Sequence, residues 1–306
     1  MSGASAVCVG EILWDVLPAG TFLGGAPLNV AGHLARLGLP VQLISRVGSD
    51  SRGVEAVRAA QALGIDTSVV QSDGTLPTGE ARVVFDDLGS ASYTFLSPAA
   101  WDNIAASPAA IDAVGAADAI IFGTLAQRSI QSRSAVLQLV DAARFRVFDA
   151  NLRFPYIDRE VTMQSLRRAD LIKLNDDECA IIARWLGVDG TPEALLAEFS
   201  RLRTGLDRPA LELCITRGNY GAMYFAESRW HAERAVPTPV ADTVGAGDAF
   251  LAMLVAQRLT GVGPAEALRR STVLAAFVVS QPGAVPAYEA NAFLEEIADP
   301  LVPLHR

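Results

Sequence analysis

A glycine-rich stretch near the carboxyl end of the chain carries the strongest chemical signal in the sequence. Residues 242–248, DTVGAGD, lead directly into an apolar helical run at 251–259. Two glycines before a helix let backbone N–H groups converge, and the start of a helix adds unpaired donors and partial positive charge. The stretch therefore predicts an anion hole suited to a transferring phosphoryl group, with Asp248 at its mouth.

Asp248 has two interpretations. A carboxylate beside an anion hole can orient an attacking hydroxyl and take its proton, whereas Asp at a helix start is also a common cap. Asp242 can likewise be a simple turn residue. We expect the helix N-terminus to depress the pKa of Asp248 and make it a weak base, which the loose transition state of phosphoryl transfer tolerates.

A second motif lies near the amino end, at residues 24–29, GGAPLN. The paired glycines Gly24 and Gly25 permit a hinge-like backbone, and the proline that follows fits the first turn of a helix. The Asn29 carboxamide can donate to and accept from a sugar hydroxyl, and the Asp15 carboxylate can accept from two neighbouring hydroxyls. Each residue alone can be a structural cap or turn residue, but together they predict a polyol site.

Two further stretches follow apolar runs and have competing interpretations. Asn175 with Glu178 three residues later is a capping box, which needs no ligand, but the same pair would also place an amide and a carboxylate beside bound phosphates and Mg²⁺. Spacing alone does not separate these alternatives. Thr216, Gly218 and Gly221 lie in a tight turn that can admit a nucleotide, although a β-hairpin loop is the favoured interpretation of the turn by itself.

Apolar runs alternate with helical patterns along the chain, and this alternation positions the motifs. The runs predicted as strands are 6–9, 41–44, 119–122, 147–149, 171–174 and 211–215, and helical periodicity covers 52–63, 132–143 and 177–186. Strand–helix alternation predicts an α/β fold with a mostly parallel sheet covered on both faces. Such sheets bind ligands at the carboxyl ends of their strands, so the residues just after each run are the site candidates.

Two segments, at about 11–24 and 78–97, break this alternation with short β pieces. Residues 86–89, DDLG, are predicted as a hairpin turn between two of these pieces. We predict that the segments form a small antiparallel lid that stands off the main sheet. The alternative is that they are edge strands of the main sheet.

Length, charge and missing motifs exclude several classes of protein. A chain of 306 residues favours one large domain, and a net charge of −9 argues against a nucleic-acid surface. No run reaches the ~18 apolar residues of a membrane helix, and the three scattered cysteines favour reduced thiols, so we expect no membrane partner and a cytoplasmic location. The chain lacks a P-loop pattern, and no G-x-G-x-x-G follows the first strand, which argues against a Rossmann dehydrogenase.

The two glycine motifs resemble the amino-terminal and carboxyl-terminal signatures of the ribokinase/PfkB carbohydrate kinases. The resemblance extends from residue 10 to residue 286. It implies a three-layer α/β/α ribokinase-like domain with a mostly parallel sheet and a small β-sheet lid, ATP as phosphoryl donor and Mg²⁺ as cofactor. It also implies that Asp248 is the base and that Gly245, Ala246 and Gly247 form the anion hole.

The capping box also matches this family. Asn175 and Glu178 are similar to the N-x-x-E element of ribokinase-like proteins, which is associated with Mg²⁺ and phosphate. The resemblance therefore favours the functional interpretation of the box, with Glu178 holding Mg²⁺ through water.

Several details resemble the fructokinase-like members of the family. Residues 148–153, FDANLR, are similar to their D-x-N-x-R segment, which 2-keto-3-deoxygluconate kinases share. The resemblance implies that Arg153 steadies a sugar or phosphate and that Asn151 contacts a phosphate oxygen. Residues 98–102, PAAWD, resemble a stretch whose aromatic side chain, here Trp101, would wall the sugar site. A core position at the domain joint is the alternative for Trp101.

The chain departs from the family pattern in two places. Thr272 aligns where an asparagine often lies beside the adenine, which leaves nucleotide-base selectivity open. Val244 replaces the second threonine of D-T-T-G-A-G-D, near which members often bind a monovalent cation. A K⁺ site at Asp242 is therefore an open alternative.

The resemblance as a whole implies an ATP-dependent sugar kinase, most similar to fructokinase, that binds its sugar through Asp15, Gly25 and Asn29. The residues expected on the ATP side are Asn151, Asn175, Thr216, Gly218, Gly221, Gly245, Gly247 and Thr272. The alternatives are another acceptor, such as 2-keto-3-deoxygluconate or a nucleoside, and a catalytically idle regulator that binds sugar or nucleotide. An exposed face on a small β lid also predicts a homodimer.

Overall fold

Strands and helices alternate along most of the chain. The computed structural model describes residues 3–17, 20–85, 91–205 and 208–289. The strands are β1 (Ala6–Val9), β2 (Leu13–Leu17), β3 (Gly20–Gly24), β4 (Val41–Ile44), β5 (Arg46–Gly48), β6 (Gln71–Asp73), β7 (Gly79–Phe85), β8 (Ala91–Phe95), β9 (Ala119–Phe122), β10 (Arg146–Asp149), β11 (Leu171–Asn175), β12 (Glu212–Thr216), β13 (Ala222–Ala226) and β14 (Arg229–Glu233). The helices are α1 (Ala26–Arg36), α2 (Ser51–Ala62), α3 (Pro108–Ala116), α4 (Ile130–Ala142), α5 (Arg159–Arg168), α6 (Asp176–Leu186), α7 (Pro192–Leu202), α8 (Ala246–Leu259) and α9 (Pro264–Val279).

The main sheet has eight strands in the order β14-β13-β12-β11-β10-β9-β1-β4. The strands from β4 to β12 in this order pair in parallel, and β13 and β14 add an antiparallel edge. The predicted mostly parallel sheet is thus confirmed. Because β1, β9, β10, β11 and β12 run in one direction, their carboxyl ends form one edge, where the candidate residues converge.

Alternating side chains of the parallel strands enter two different cores. In β1, Val7 and Val9 pack into the core that also contains residues of α3 to α7. Ala6 and Cys8 point the other way, into the core shared with α1, α2, α8 and α9. A strand buried on both faces needs apolar residues at successive positions, which is why these runs are continuous rather than alternating. Helices therefore cover both faces, as the three-layer α/β/α prediction requires.

The two segments predicted as a lid form a second sheet of four strands, in the order β3-β2-β7-β8. The β2–β3 and β7–β8 pairs are antiparallel, but β2 and β7 pair in parallel, so the expectation of a wholly antiparallel lid is wrong at this central pair. This sheet pairs with no strand of the main sheet within the described ranges, so the alternative of edge strands is wrong. The turn predicted at 86–89 lies outside the described residues. A short parallel pair, β5 with β6, was not predicted. In the part of the chain described by the structure, no helix is long and apolar enough to cross a membrane.

Arg128 lies at the joint between the two larger sheets. Its guanidinium donates to both carboxylate oxygens of Asp102 at 2.8 Å and lies 3.6 Å from the ring centroid of Trp101. Trp101 is only 1% exposed, and its indole packs against Gly79 at the start of β7. The expectation that Trp101 walls the sugar site is therefore wrong, because burial leaves its ring no face for a ligand.

Candidate active site

The glycine-rich loop forms the start of α8 without a side-chain cap from any described residue. Gly245 occupies the cap position with φ +80°, and a Cβ there would lie 2.5 Å from the carbonyl oxygen of Ala284. Both the left-handed backbone and the close approach of Ala284 require glycine at this position. The helix N-terminus is consequently left with its positive end open toward the carboxyl edge of the sheet.

Asp242 shapes the loop that leads to this helix. One carboxylate oxygen accepts the N–H of Val244 at 3.0 Å, and the other accepts the N–H of Gly283 at 3.3 Å. Asp242 is thus a turn residue that also ties the loop to the segment containing Ala284. These two hydrogen bonds account for Asp242 as a turn residue without a ligand.

Asp248 lies in the first turn of α8 and accepts a hydrogen bond from Asn29 Nδ2 at 2.8 Å. Asn29 belongs to α1 and is 5% exposed, so the amide is held firmly by packing. Burial, with a contribution from the nearby Asp149 carboxylate, raises the pKa of Asp248 to about 6. The expected depression of this pKa is wrong, because loss of water and a second negative charge outweigh the helix N-terminus.

The predicted sugar side is built from β2, β3 and the first turn of α1. The Asp15 carboxylate on β2 lies directly over Gly24, where any Cβ would collide with it. A Cβ on Gly25, whose φ is +117°, would collide with the carbonyl oxygen of Glu11. Both glycines therefore allow the lid and α1 to approach closely. Burial raises the pKa of Asp15 to about 6, although the positive charge of Arg153 opposes this.

Arg153 and Glu11 add one positive and one acidic group to this part of the site. Arg153 is exposed on the segment after β10, and its positive charge acts on Glu11, Asp15 and Asp248. Glu11 follows β1, is 4% exposed, and has its pKa raised to about 7 by burial. No role for Glu11 was predicted. Its position just after the first predicted strand, at the edge where such sheets bind ligands, could have indicated a site residue.

A buried ion pair lies beneath the start of α8 and was also missed. Lys173 Nζ donates to Asp149 Oδ1 at 2.9 Å, and both residues are buried. A Cβ on Gly247 would be 3.4 Å from Lys173 Nζ, so the ammonium lies against the glycine loop. Burial alone would lower the pKa of Lys173, but the charges of Asp149 and Glu178 raise it. The sequence signal was a single lysine inside an otherwise apolar parallel strand.

The N-x-x-E element forms the capping box of α6. Asn175 Oδ1 accepts the N–H of Glu178 at 2.9 Å, and Glu178 Oε2 accepts the N–H of Asn175 at 2.8 Å. The other Glu178 oxygen accepts the N–H of Leu152 at 2.8 Å, which ties α6 to the segment that carries Arg153. Burial raises the pKa of Glu178 although Lys173 opposes it. The prediction of a capping box is confirmed. The predicted role of Asn175 and Glu178 toward phosphate and Mg²⁺ stays a prediction.

The segment after β12 is a hairpin connection, as the structural interpretation predicted. Thr216 ends β12 and donates to the Leu174 carbonyl at 3.3 Å, and the turn leads into antiparallel β13. Gly218 has φ +53° with open space around its Cβ position. Gly221 has φ +95°, and its Cβ would collide with the Glu233 carbonyl. Gly221 is therefore required by β-strand packing, whereas the Gly218 side of the turn is open.

Thr272 and Asn151 occupy different environments from each other. Thr272 is buried within α9, where its hydroxyl donates to the Leu268 carbonyl at 3.0 Å. The expectation that Thr272 contacts ATP is therefore wrong, because its hydroxyl is inside the helix layer. Asn151 is half-buried with φ +38°, beside a small cavity that Glu11 and Asp149 also line.

The structure thus brings Asp15, Gly25, Asn29, Arg153 and Asp248 to one edge of the sheet. A carboxylate at an open helix N-terminus, beside carboxylate and amide groups of the kind that can hydrogen-bond to hydroxyls, is suited to transfer of a phosphoryl group to an alcohol. The class that this fold and site define is the small-molecule kinases of ribokinase-like architecture. Trp101 and Thr272 are the two predicted site residues that the fold places elsewhere.

Comparison with known proteins agrees with this class. The model of the pfkB family carbohydrate kinases matches residues 19–291, and the chain belongs to that family. It is 28% identical over 307 residues to a fructokinase of Escherichia coli, covering 94% of this chain and 97% of that protein. It is 26% identical to fructokinase-2 of Zea mays, covering 95% of this chain and 93% of that one.

Solved structures share the fold at lower sequence identity. A fructokinase with bound ATP from Xylella fastidiosa aligns with a TM-score of 0.84 at 22% identity, covering 96% of this chain and 99% of that chain. An aminoimidazole riboside kinase from Salmonella enterica aligns with a TM-score of 0.78 at 21% identity, covering 96% and 100%. These likenesses confirm the ribokinase-like fold.

Proposed function

We propose that this chain transfers the γ-phosphoryl group of ATP to a sugar hydroxyl, with fructose as the first candidate acceptor. The observation that carries the proposal is the Asp248 carboxylate, held by Asn29 at the uncapped N-terminus of α8. Family membership supports the reaction class, and the fructokinases among the relatives support the acceptor.

The residues on the sugar side have free hydrogen-bonding capacity. Asn29 Oδ1 is buried without a hydrogen-bond partner among the described residues, so an acceptor hydroxyl can donate to it. Asp15 provides two more acceptor oxygens, and Arg153 provides donors. An alcohol bound between Asn29 and Asp15 would present one hydroxyl to Asp248, which orients it and takes its proton as the oxygen bonds to the γ-phosphorus. The bond from phosphorus to the bridging oxygen breaks, and ADP leaves.

The open start of α8 would receive the phosphoryl charge. Backbone N–H groups of Gly245, Ala246 and Gly247 and the helix dipole are fixed before substrate binds, so they stabilise developing charge without reorganisation. Thr216 and Gly218 would contact the nucleotide on the neighbouring strand end, with Asn151 and Asn175 toward its phosphates. The open space at Gly218 supports this placement. Closure of the β2-β3-β7-β8 sheet over the site would exclude water, the competing phosphoryl acceptor.

Mg²⁺ would neutralise the phosphates of ATP, and Glu178 is the residue we assign to it. Both oxygens of Glu178 already accept backbone N–H groups, and the side chain is buried. A water-mediated contact with the ion therefore fits this donor set, as is usual for Mg²⁺, which keeps several waters.

Three finer points belong to the same proposal. A K⁺ ion near Asp242 would stabilise the loop before α8. The edge strands β3 and β8 of the small sheet, with Phe22 49% exposed on β3, support pairing of two copies into a homodimer. A cytoplasmic location accords with reduced, buried Cys8, Cys179 and Cys214.

A coupled assay of ADP release over a panel of acceptors tests the proposal. The panel contains fructose, other hexoses, ribose, 2-keto-3-deoxygluconate and nucleosides, each with and without K⁺. We expect turnover with fructose to exceed that with the other acceptors. Higher turnover with another acceptor reassigns the substrate, and no turnover together with saturable sugar binding supports a regulator instead.

A further inference from the structure

Lys173 places a buried positive charge beneath the proposed anion hole. It is the third residue of β11, 6% exposed, and its ammonium lies between Asp149 and the backbone of Gly247. The side chain thus reaches the carboxyl edge of the sheet from inside the strand layer. Its position is set by the parallel register in which Lys173 pairs with Asp149.

The pair is not explained by stability alone. Moving an ammonium and a carboxylate out of water costs several kcal/mol each, and well-packed apolar residues often stabilise a core as well as a buried ion pair does. The Asp149–Lys173 pair is also incompletely satisfied, since Asp149 Oδ2 is buried without a hydrogen-bond partner among the described residues. A charge kept in such a place is suited to a task at the neighbouring site.

We propose that the Lys173–Asp149 pair is an electrostatic positioning element of the phosphoryl-transfer site. Lys173 adds fixed positive charge beneath the Gly247 peptide, where negative charge accumulates in the transition state. Asp149 holds the ammonium in place, and its negative charge acts on Asp248 in the direction opposite to the positive charge of Lys173. This inference rests on the proposed function of the same site.

The two members of the pair have opposite effects on Asp248. The negative charge of Asp149 raises the pKa of Asp248, and the positive charge of Lys173 lowers it. Other groups also face this carboxylate, and their positions fix the background against which the pair acts. They are Cys8 on β1, Glu11 after β1, Asn29 on α1 and Arg153 after β10.

Two single variants test the proposal through opposite shifts in pH dependence. Asp248 must be ionised to accept a proton, so activity falls as the pH is lowered through its pKa. Lys173→Met removes the positive charge, which moves this acid limb of the kcat/KM profile to higher pH and lowers kcat at least about tenfold with a smaller change in KM for the sugar. Asp149→Asn removes the negative charge and moves the acid limb to lower pH.

Arg203→Met is the matched control. Arg203 donates to Asp170 at 2.7 Å in another buried pair, at the amino-terminal edge of β11, and Asp170 keeps Arg146 as a second partner. Its variant loses stability without a change in the pH profile, because the pair is far from the site edge. Circular dichroism and thermal unfolding verify that each variant is folded.

The outcomes are distinct. Opposite movements of the acid limb, with the control unchanged, support the proposal. Unchanged limbs, or movement of both in the same direction, overturn it, and so does a folded Lys173→Met protein with the parent kcat. If Lys173→Met does not fold, the direction of the Asp149→Asn shift decides alone. Failure of the parent protein to phosphorylate any acceptor would instead refute the proposed function.

Discussion

Two of the helices that begin at the carboxyl edge of the main sheet, α6 and α8, have N-termini that are satisfied in different ways. At α6, Asn175 caps the helix and Glu178 returns the bond, and Asp176 and Asp177 add negative charge to the first turn. At α8, Gly245 occupies the cap position, no described side chain caps it, and Asp248 is the acidic residue of the first turn. The first-turn N–H groups of α6 are therefore capped by side chains of that helix start, whereas those of α8 have no side-chain cap among the described residues.

The difference shows how one type of element serves two purposes. The backbone N–H groups of a capped and acidic N-terminus have little remaining attraction for a phosphate, because they are occupied and the helix dipole is neutralised. An uncapped N-terminus retains donors and positive potential, at a cost in local stability. We therefore assign the transferred γ-phosphoryl group to α8 and a supporting role to α6, which fixes the segment carrying Arg153 through the bond from the Leu152 N–H to Glu178.

Asp248→Asn should have the largest effect. The carboxamide keeps the shape of the side chain and cannot take the hydroxyl proton, so we expect turnover to fall by ~10²-fold or more. Calorimetric affinities for ATP and sugar should change little, because the glycine loop and the sugar-side residues remain. Parent-like turnover in a folded variant would remove Asp248 from the mechanism.

Gly245→Ala should come next, with Gly261→Ala as its control. Both glycines have left-handed backbone, with φ +80° and +79°, so alanine costs each site about 1 kcal/mol of backbone strain. At Gly245 the added Cβ also meets Ala284, whereas at Gly261 it meets nothing within 4 Å. We expect kcat to fall about tenfold or more for Gly245→Ala, because the clash shifts the loop and misaligns anion-hole donors whose complete loss costs about 10²–10³ in kcat, and to be unchanged for Gly261→Ala.

Equal activities of the two glycine variants would contradict the account of the loop. Thermal unfolding of both proteins separates strain from clash, because the strain is shared and the clash is confined to Gly245.

Asn175→Ala should have a moderate effect, with Thr191→Ala as the matched control. Each variant removes an N-cap, of α6 and of α7, and should lose about 1 kcal/mol in the free energy of unfolding by urea. Asn175→Ala alone should also raise KM for ATP severalfold, because its loss disturbs the proposed phosphate side. A KM for ATP that is the same in both variants would leave Asn175 as a cap and nothing more.

Thr272→Val should have the smallest effect. The threonine hydroxyl is bonded within α9 and buried, so a valine of similar shape should change KM for ATP less than about twofold, since no substrate contact is lost. A large increase in KM for ATP would restore the adenine-side role that the structure argues against.

Much of the fold could be predicted from the sequence because the parallel strands are buried on both faces. The runs at 6–9, 41–44 and 119–122 were predicted with the bounds the structure has, since buried apolar residues occupy every position of β1 and β9 and every position of the edge strand β4 except Gln42. The separate small sheet was signalled by polar alternation. The β5–β6 pair was missed because three-residue strands carry almost no periodic signal.

The sequence identified most of the candidate site residues, but it predicted their burial and the charges around them only in part. The pKa of Asp248 was expected to fall because the local sequence shows only a helix start, while Asp149, which raises it, comes from a strand distant in sequence. Lys173 was missed for the same reason, since its partner is defined by sheet register. Trp101 and Thr272 were misplaced because residue type does not reveal burial at a joint or within a helix layer.

The most direct test is a crystal structure with fructose and a non-hydrolysable ATP analogue. The account predicts the γ-phosphate at the start of α8, within hydrogen-bonding distance of the Gly247 N–H, and a sugar hydroxyl between that phosphate and the Asp248 carboxylate. A γ-phosphate bound at the capped start of α6 instead, or a sugar with no hydroxyl near Asp248, would contradict it.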